Sequence, residues 1–392
     1  MTEELFRQDG YVSEFESIVT ELDGDWVKLE GTFFYPGGGG QVCDTGAIAG
    51  CRVVETKYDS KKDIIHRVPG NKLSVGDKVW CSVDWDRRYD LMKGHTAEHT
   101  LFCSLHRQDP ELGIVKIYIS PESKYVIVDR DISLDKIRDA VDFANSVIND
   151  NMPVVRSVMS RDDPDLKNVR MHLERIEGDE IGVVEIGDVD IAACSGIHVM
   201  ETSEIEAIFV DRKVSAGKDG YAIHFKIGEE ARNAANHLAN TCMKVIDVLG
   251  SKPEDIVKTV TNMKSELEDT KAQLKQAAAA LMKGQSPENI GGTDVYAMSV
   301  PTSDRSVVSD MAERHKTAGA VSAYVFGTGN LSVIVSSGDK RVDCKKVLGD
   351  TMKEFGGRGG GKPDFSQGGV PGGADPEKMI AFMTELIREQ LR

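Results

Sequence analysis

Residues 85–106 read Trp85-Asp86-Arg87-Arg88-Tyr89-Asp90-Leu91-Met92-Lys93-Gly94-His95-Thr96-Ala97-Glu98-His99-Thr100-Leu101-Phe102-Cys103-Ser104-Leu105-His106. Leu91, His95, His99, Phe102 and His106 recur there at spacings of four and three, the period of one helical face. The flanks differ. Before it, from about Val12, residues 26–35, 47–58, 64–68 and 78–85 alternate or run apolar between Gly, Pro and Asp-Gly turns, as short strands do. After it, strands return between 116 and 194 around one helix at 134–148. Residues 181–191 lead to Cys194 as one strand, and 205–211 and 222–226 continue the pattern. A helix set between two strand-rich regions predicts an α+β, multidomain chain.

Further on, Ile227, Ala231, Ala234, Leu238, Cys242, Val245 and Leu249 share a helical face that ends at Gly250. Behind Ser251 and Pro253, Ile256, Val260, Met263, Leu267, Thr270, Leu274, Ala277 and Leu281 form a heptad seam. Together they predict a long helical hairpin that packs on itself or on a neighbouring domain, or that pairs two copies of the chain. A polar linker at 284–293 leads to strands at 295–300, 321–326 and 331–336, alternating with helices at 304–317, 342–355 and 376–391. The expected division is a small glycine-rich β-barrel-like domain at 1–85, an α+β domain at 86–226, the helical hairpin at 227–285 and a glycine-rich α/β domain at 286–392.

Composition narrows the classes. Of 392 residues, 40% are apolar and 29% charged, which excludes wholesale disorder. No apolar run long enough for a membrane span or a signal peptide is present in the sequence, so the expected location is the cytoplasm. Seven cysteines, scattered at 43, 51, 81, 103, 194, 242 and 344, do not pattern as a disulfide framework, and a cysteine with a task reads as a metal ligand or nucleophile. The net charge of −16 argues against coating nucleic acid through a bulk positive field. The stretch from residue 301 on, with 13 basic against 12 acidic residues, is the exception to that acidity.

Two histidines four apart on a helix can reach one metal ion, though such pairs also arise on ordinary amphipathic faces. Cys194-Ser195-Gly196-Ile197-His198 adds a thiolate and an imidazole four apart in a glycine-containing turn. His95, His99, Cys194 and His198 together make a zinc-type donor set for one ion. Four protein ligands fill a tetrahedron, whereas catalytic zinc keeps a position open. His198, at the far end of the turn, is therefore the candidate for a loose ligand. His-x-x-Glu-His also spells the inverted zinc-peptidase motif, which needs a carboxylate as third ligand.

These residues carry a resemblance. Trp85-Asp86-Arg87-Arg88, His95-Thr96-Ala97-x-His99 and Cys194-x-Gly196-x-His198 resemble the editing domain of alanyl-tRNA synthetases and of the free-standing alanyl-tRNA editing proteins (AlaX). Thr32-Phe33-Phe34-Tyr35-Pro36-Gly37-Gly38-Gly39-Gly40-Gln41 with Asp44-Thr45-Gly46 is similar to the glycine-rich module before that domain. The stretch from Gly356 to Asp364, with Gln367-Gly368-Gly369, resembles the synthetase's C-terminal signature. The arrangement is similar to the long form of AlaX, with no aminoacylation domain expected. Ser195 and Ile197 depart from the family's usual Gly and Thr, so a threonine hydroxyl beside the metal is not expected from that loop.

The resemblance implies a hydrolase that deacylates seryl-tRNA(Ala), and also glycyl-tRNA(Ala), at a zinc-containing editing domain. A pocket that selects alanine discriminates against one methylene or hydroxyl by only about 1–3 kcal/mol, so a second, hydrolytic site is needed. On this reading Thr32 recognises the serine hydroxyl, and Gln41 orients water or the ester carbonyl. Gly38, Gly39 and Gly40 approach the substrate, and Arg358 and Lys362 contact tRNA. A homodimer through the helical or C-terminal region is an open option, since the heptad seam does not itself fix the oligomeric state. A zinc peptidase and a non-catalytic tRNA-binding or dimerising protein with structural zinc are the alternatives.

Overall fold

The strand Glu14–Asp23 turns Phe15, Ser17 and Val19 inward and the residues between them outward, the alternation that a half-buried strand requires. It lies at the centre of a seven-stranded antiparallel sheet. The order is Cys51–Val53, Gly46–Ile48, Lys78–Val83, Glu14–Asp23, Trp26–Leu29, Ile64–Arg67 and Glu55–Tyr58. The two edge strands are joined by Val54 alone, so the sheet curls back on itself into a near-barrel around Phe15, Val19, Val27, Leu29, Phe34 and Ile48. The expected strand at 26–35 ends at Thr32, where the glycine loop begins. The expected strand at 47–58 is three short ones, because the chain reverses at Ala49 and Gly50, both with positive φ. The computed structural model describes residues 2–171 and 178–392, and contacts divide the chain into two units, Met1–Val245 and Ile246–Arg392.

Asp84 ends the barrel and caps the first helix, α1 (Trp85–Gln108), by accepting from the Arg87 amide. Both sides of α1 are covered. One side carries Leu101, Phe102 and Leu105 into a core shared with helix α2 (Leu134–Asn149) and a four-stranded antiparallel sheet. The sheet order is Ile114–Ile119, Lys124–Val128, Tyr221–Ile227 and Ile208–Ser215. The other side presents Arg88 to the barrel. Its guanidinium is fully buried and donates to Asp44 (Nε to Oδ2 2.9 Å), to the carbonyl of Gly10 (2.9 Å) and to that of Phe33. Asp44 Oδ2 also accepts from the Tyr35 amide at 2.7 Å, so both ends of the glycine loop are tied to α1.

A three-stranded sheet, Val154–Ser160, Glu180–Ile186 and Asp190–Ala193, completes this part of the unit. Residues 181–191 were expected as one strand and form a hairpin instead. Gly187, with φ of 48°, lets the chain reverse, and the Val189 amide closes the turn on Ile186. Residues 202–205 are a 3-10 turn held by a Glu201–Glu204 capping box, so the strand expected from 205 starts at Ile208. Helix α3 (Gly228–Leu249) follows, with only Gly228 and Ala231 buried.

In the second unit, helix α4 (Ile256–Lys283) keeps Val260, Met263, Leu267, Leu274 and Leu281 between 45% and 54% exposed, so most of the heptad seam faces solvent. A six-stranded sheet follows in the order Glu288–Ile290, Thr293–Val300, Val321–Phe326, Leu331–Ser337, Phe365–Val370 and Arg358–Lys362. Helices α5 (Arg305–Thr317), α6 (Cys344–Glu354) and α7 (Pro376–Leu391) pack on it. Part of the expected linker, Glu288–Ile290, is thus an edge strand. The glycine-rich stretch after 356 is also an edge hairpin. Its glycines make room for α6: a Cβ on Gly357 would lie 2.6 Å from Met352 Sδ, and one on Gly359 would lie 3.0 Å from Leu348 Cδ2. Among the described residues no helix is long and apolar enough to cross a membrane.

Removing Asp44 leaves the Arg88 charge buried without its carboxylate. Asp44→Ala is expected to lower unfolding stability by about 3–5 kcal/mol. Urea denaturation measures it, and a loss under ~1 kcal/mol contradicts a clamping role for the pair.

Candidate metal centre

Helix α1 aims His95 and His99, one turn apart, at the end of the Asp190–Ala193 strand. The Cys194 amide continues that strand's ladder onto the Gly182 carbonyl (2.9 Å), and the chain then turns through Ser195 and Gly196 to His198. One ligand atom from each of His95, His99, Cys194 and His198 lies within 4.8 Å of all the others. Cys194 Sγ is 3.4 Å from His95 Nε2 and 3.3 Å from His198 Nε2. Bond lengths of about 2.3 Å to sulfur and 2.0–2.1 Å to nitrogen at a tetrahedral angle place S and N ~3.6 Å apart. The donor set and its spacing therefore fit a zinc-type ion.

Each imidazole is oriented from behind. His95 Nδ1 donates to Gln41 Oε1 at 2.7 Å, His99 Nδ1 to Asp190 Oδ2 at 3.2 Å, and His198 Nδ1 to Thr96 Oγ1 at 3.2 Å. The Thr96 hydroxyl spends its proton on the Met92 carbonyl, which leaves its oxygen to accept from His198 and from the Val199 amide. Every Nδ1 is thereby engaged, and the three Nε2 atoms turn toward the sulfur. This is how ligand-bearing histidines are fixed in tautomer and direction.

Burial alone would push the Cys194 thiol up; the adjoining imidazoles, His95 foremost, outweigh it and hold the group well below its usual value, as a thiolate. The Gly196 amide also donates to that sulfur. Burial opposes protonation of His99, but the Cys194 thiolate and Asp190 raise it to about 10. Burial takes His198 the other way, to about 4. Asp190 stays low despite burial because His99 and Arg170 bond to it.

The glycine loop closes over this cluster. Gly38 and Gln41 exchange backbone hydrogen bonds in a tight turn, and Gly40 is pressed onto the strand Ile114–Ile119, where a Cβ would lie 2.6 Å from the Ile117 carbonyl. The register that sets Gln41 opposite Ile119 also carries its amide to His95. Gln41 Nε2 is buried with no hydrogen-bond partner among the described residues. Gly39, His95, Glu98, His99, Cys194 and Ser195 border a cavity of about 900 Å³, which Arg7, Arg156 and Arg170 also line.

Thr32 is not brought to this cavity. Its hydroxyl is fully buried and sits 2.9 Å from His66 Nε2. His66, neutral through burial, uses its Nδ1–H on the Val27 carbonyl, so the Thr32 proton is committed to Nε2. Arg358 and Lys362 are exposed on the edge strand of the other unit. Sequence reasoning missed Asp190 and Thr96 as partners of the ligands, and Arg170 behind Asp190. Thr96 supplies from α1 a hydroxyl that was not expected from the Cys194 loop, where the buried Ile197 packs with Phe6, Tyr35 and Met92.

A hairpin-borne Cys-x-x-x-His meeting a helical His-x-x-x-His defines a protein equipped to hold a zinc-type ion at a cavity. Residues 5–87 match the class II (A) tRNA synthetase family, 181–220 the threonyl and alanyl tRNA synthetase second additional domain, and 292–389 the DHHA1 domain. The alanine–tRNA ligase of Methanoregula boonei is 31% identical over 94% of this chain and 42% of its own length; that of Archaeoglobus fulgidus is 28% identical over 99% and 44%. The chain thus spans under half the length of these curated ligases. The alanyl-tRNA editing protein AlaX-L of Pyrococcus horikoshii is 25% identical over the whole of both chains. This chain is therefore related to the alanyl-tRNA synthetases and to their free-standing editing relatives of the AlaX type. Among solved structures, the C-Ala domain of the Aquifex aeolicus alanyl-tRNA synthetase covers 26% of this chain at 18% identity and a TM-score of 0.25.

Gly196 is required by space: a Cβ there would lie 2.2 Å from His95 Cε1. Gly196→Ala must displace the His95 ring, and zinc affinity is expected to fall about 10- to 100-fold with little change in melting temperature. Competition with a chromophoric chelator measures it, and unchanged affinity would show that His95 is not held where a ligand must be.

Proposed function

We propose that this chain is an editing hydrolase that cleaves the ester of mischarged tRNA(Ala), seryl chiefly and glycyl as well, with one zinc ion held by His95, His99, Cys194 and His198. The observation that carries the proposal is the convergence of these four donors beside a cavity large enough for an aminoacyl end. The similarity to a full-length AlaX-L and to the editing part of alanine–tRNA ligases supports the substrate.

When bound, zinc would supply positive charge for activating water or for fixing the aminoacyl-adenosine. The protein does the rest. Gln41 holds His95 through its oxygen and keeps its amide donors for the attacking water or the ester carbonyl. The pinned glycine loop limits water around the ester. Arg156, whose Nε has no partner among the described residues, offers a guanidinium to the phosphate of the acceptor end. The peptidase reading needs a carboxylate as third ligand, and the cluster is completed instead by Cys194 and His198.

Zinc-loaded protein is expected to release serine and glycine from tRNA(Ala) while sparing alanyl-tRNA(Ala), and metal-stripped protein or His95→Ala to lose about a hundredfold or more of that rate. Serine release unaffected by stripping would refute zinc dependence. No release from any ester would refute the hydrolase and leave a binding protein.

For tRNA, we propose contact along the exposed edge strand at Arg358 and Lys362, whose side chains form no hydrogen bond or ion pair among the described residues. Arg358→Ala with Lys362→Ala should weaken tRNA binding and lower the slope of log affinity against log salt by roughly 1–2. An unchanged slope places the phosphate contacts elsewhere.

A further inference from the structure

We propose that Glu98 is the receptor for the free α-ammonium group of the aminoacyl ester, a selection of substrate class that rests on the hydrolase reading above. Glu98 stands on α1 between His95 and His99 and lines the same cavity, yet is 1% exposed. Neither of its oxygens has a hydrogen-bond partner among the described residues. A buried carboxylate without a donor is costly in any fold.

Of the described cationic groups that line the cavity, all but Arg156 are committed to other partners, and Arg156 is not among the charges that act on Glu98. Arg170 gives both its Nη2 and Nε to Asp190 (2.8 and 3.3 Å), and Arg7 is paired with Glu4. His95 and His99 have their Nδ1 atoms on Gln41 and Asp190. Among the described residues, the site lacks a compact cation with several N–H donors. An aminoacyl ester brings one: its ammonium carries three donors and lies two bonds from the carbonyl carbon that hydrolysis attacks. Seryl, glycyl and alanyl esters all present that group. Glu98 therefore does not choose among side chains; it separates free aminoacyl esters from N-acylated or peptidyl ones.

The probe is 3′-deoxy-3′-(L-serylamino)adenosine, an amide in place of the ester, together with its N-acetyl derivative, titrated by calorimetry into the zinc-loaded full chain. A charged hydrogen bond predicts that wild type binds the free amine about tenfold or more tightly than the acetylated form, and that E98Q brings the two within roughly threefold. Equal binding of the two by wild type, binding of neither, or a ratio retained in E98Q would each overturn the proposal. Should E98Q fail to hold zinc, the wild-type ratio still decides. Serine release from the ester is measured in parallel. Discrimination by the amine with no ester cleavage defeats the hydrolase reading alone, and cleavage without discrimination defeats only the role of Glu98.

Discussion

The contact between Arg88 and Asp44 is what makes a site out of two substructures. Both side chains have no solvent exposure, and a pair so deeply buried adds little net stability compared with an apolar substitute. Its value is positional. Asp44 sits at the end of the glycine loop and Arg88 lies two turns before His95 on α1, so their bond fixes where the loop crosses the helix. The carbonyls of Gly10 and Phe33, which also accept from Arg88, tie the N-terminal segment and the barrel to the same point. Together with the pairing of the loop to Ile119, this anchor holds Gln41 at His95.

From that anchor the cluster of candidate ligands is assembled by three separate elements. The helix spaces His95 and His99 by one turn, the hairpin ending at Ala193 delivers Cys194, and Thr96 draws His198 back onto the helix. Each imidazole is backed by a different kind of acceptor: an amide, a carboxylate and a hydroxyl. The carboxylate, Asp190, is itself steadied by Arg170, which rests on the ring of Phe102. His198 was the expected loose ligand, at the end of a flexible turn. The turn is not loose in the structure, because the Val199 amide and His198 Nδ1 share the Thr96 oxygen.

How much of this could be read from the sequence follows the range of the interactions. The make-up of the four-residue cluster was legible because both halves are local, at spacings of four within a helix and within a turn. The long helix, α2 and the strand Val321–Phe326 were legible for the same reason, since period and length agree. Asp190 and Thr96 were not, because their roles exist only after the hairpin meets α1. The glycines after 356 were read as part of a C-terminal signature, beside Arg358 and Lys362 as tRNA contacts. Gly357 and Gly359 are instead explained by a helix lying on the sheet, a contact that no local pattern announces. Thr32 was assigned by its place before the glycine loop, but the part of the loop that reaches the cavity and His95 is Gly39 and Gln41 at the Gly38–Gln41 turn, while His66 takes the Thr32 proton. A sequence gives order along the chain; the loop reverses direction within a few residues.

For the proposed RNA substrate, the charge distribution sets how so acidic a chain would take up an anionic end. With a net charge of −16, attraction over a distance is unfavourable, and any recognition has to occur at short range inside a shaped site. The cavity wall has that character. Of its three guanidiniums, those of Arg7 and Arg170 are balanced by Glu4 and Asp190, while Arg156 reaches only the Arg7 carbonyl, at 3.5 Å. Among the described residues, the cavity thus carries Arg156 without a carboxylate to balance it, the exposed Glu3 and Glu180, and beside the imidazoles the buried Glu98, whose ionisation burial opposes. That pattern complements a ligand with a phosphate at one end and an ammonium at the other, and it disfavours a bare nucleotide, which would leave the carboxylate unpaired.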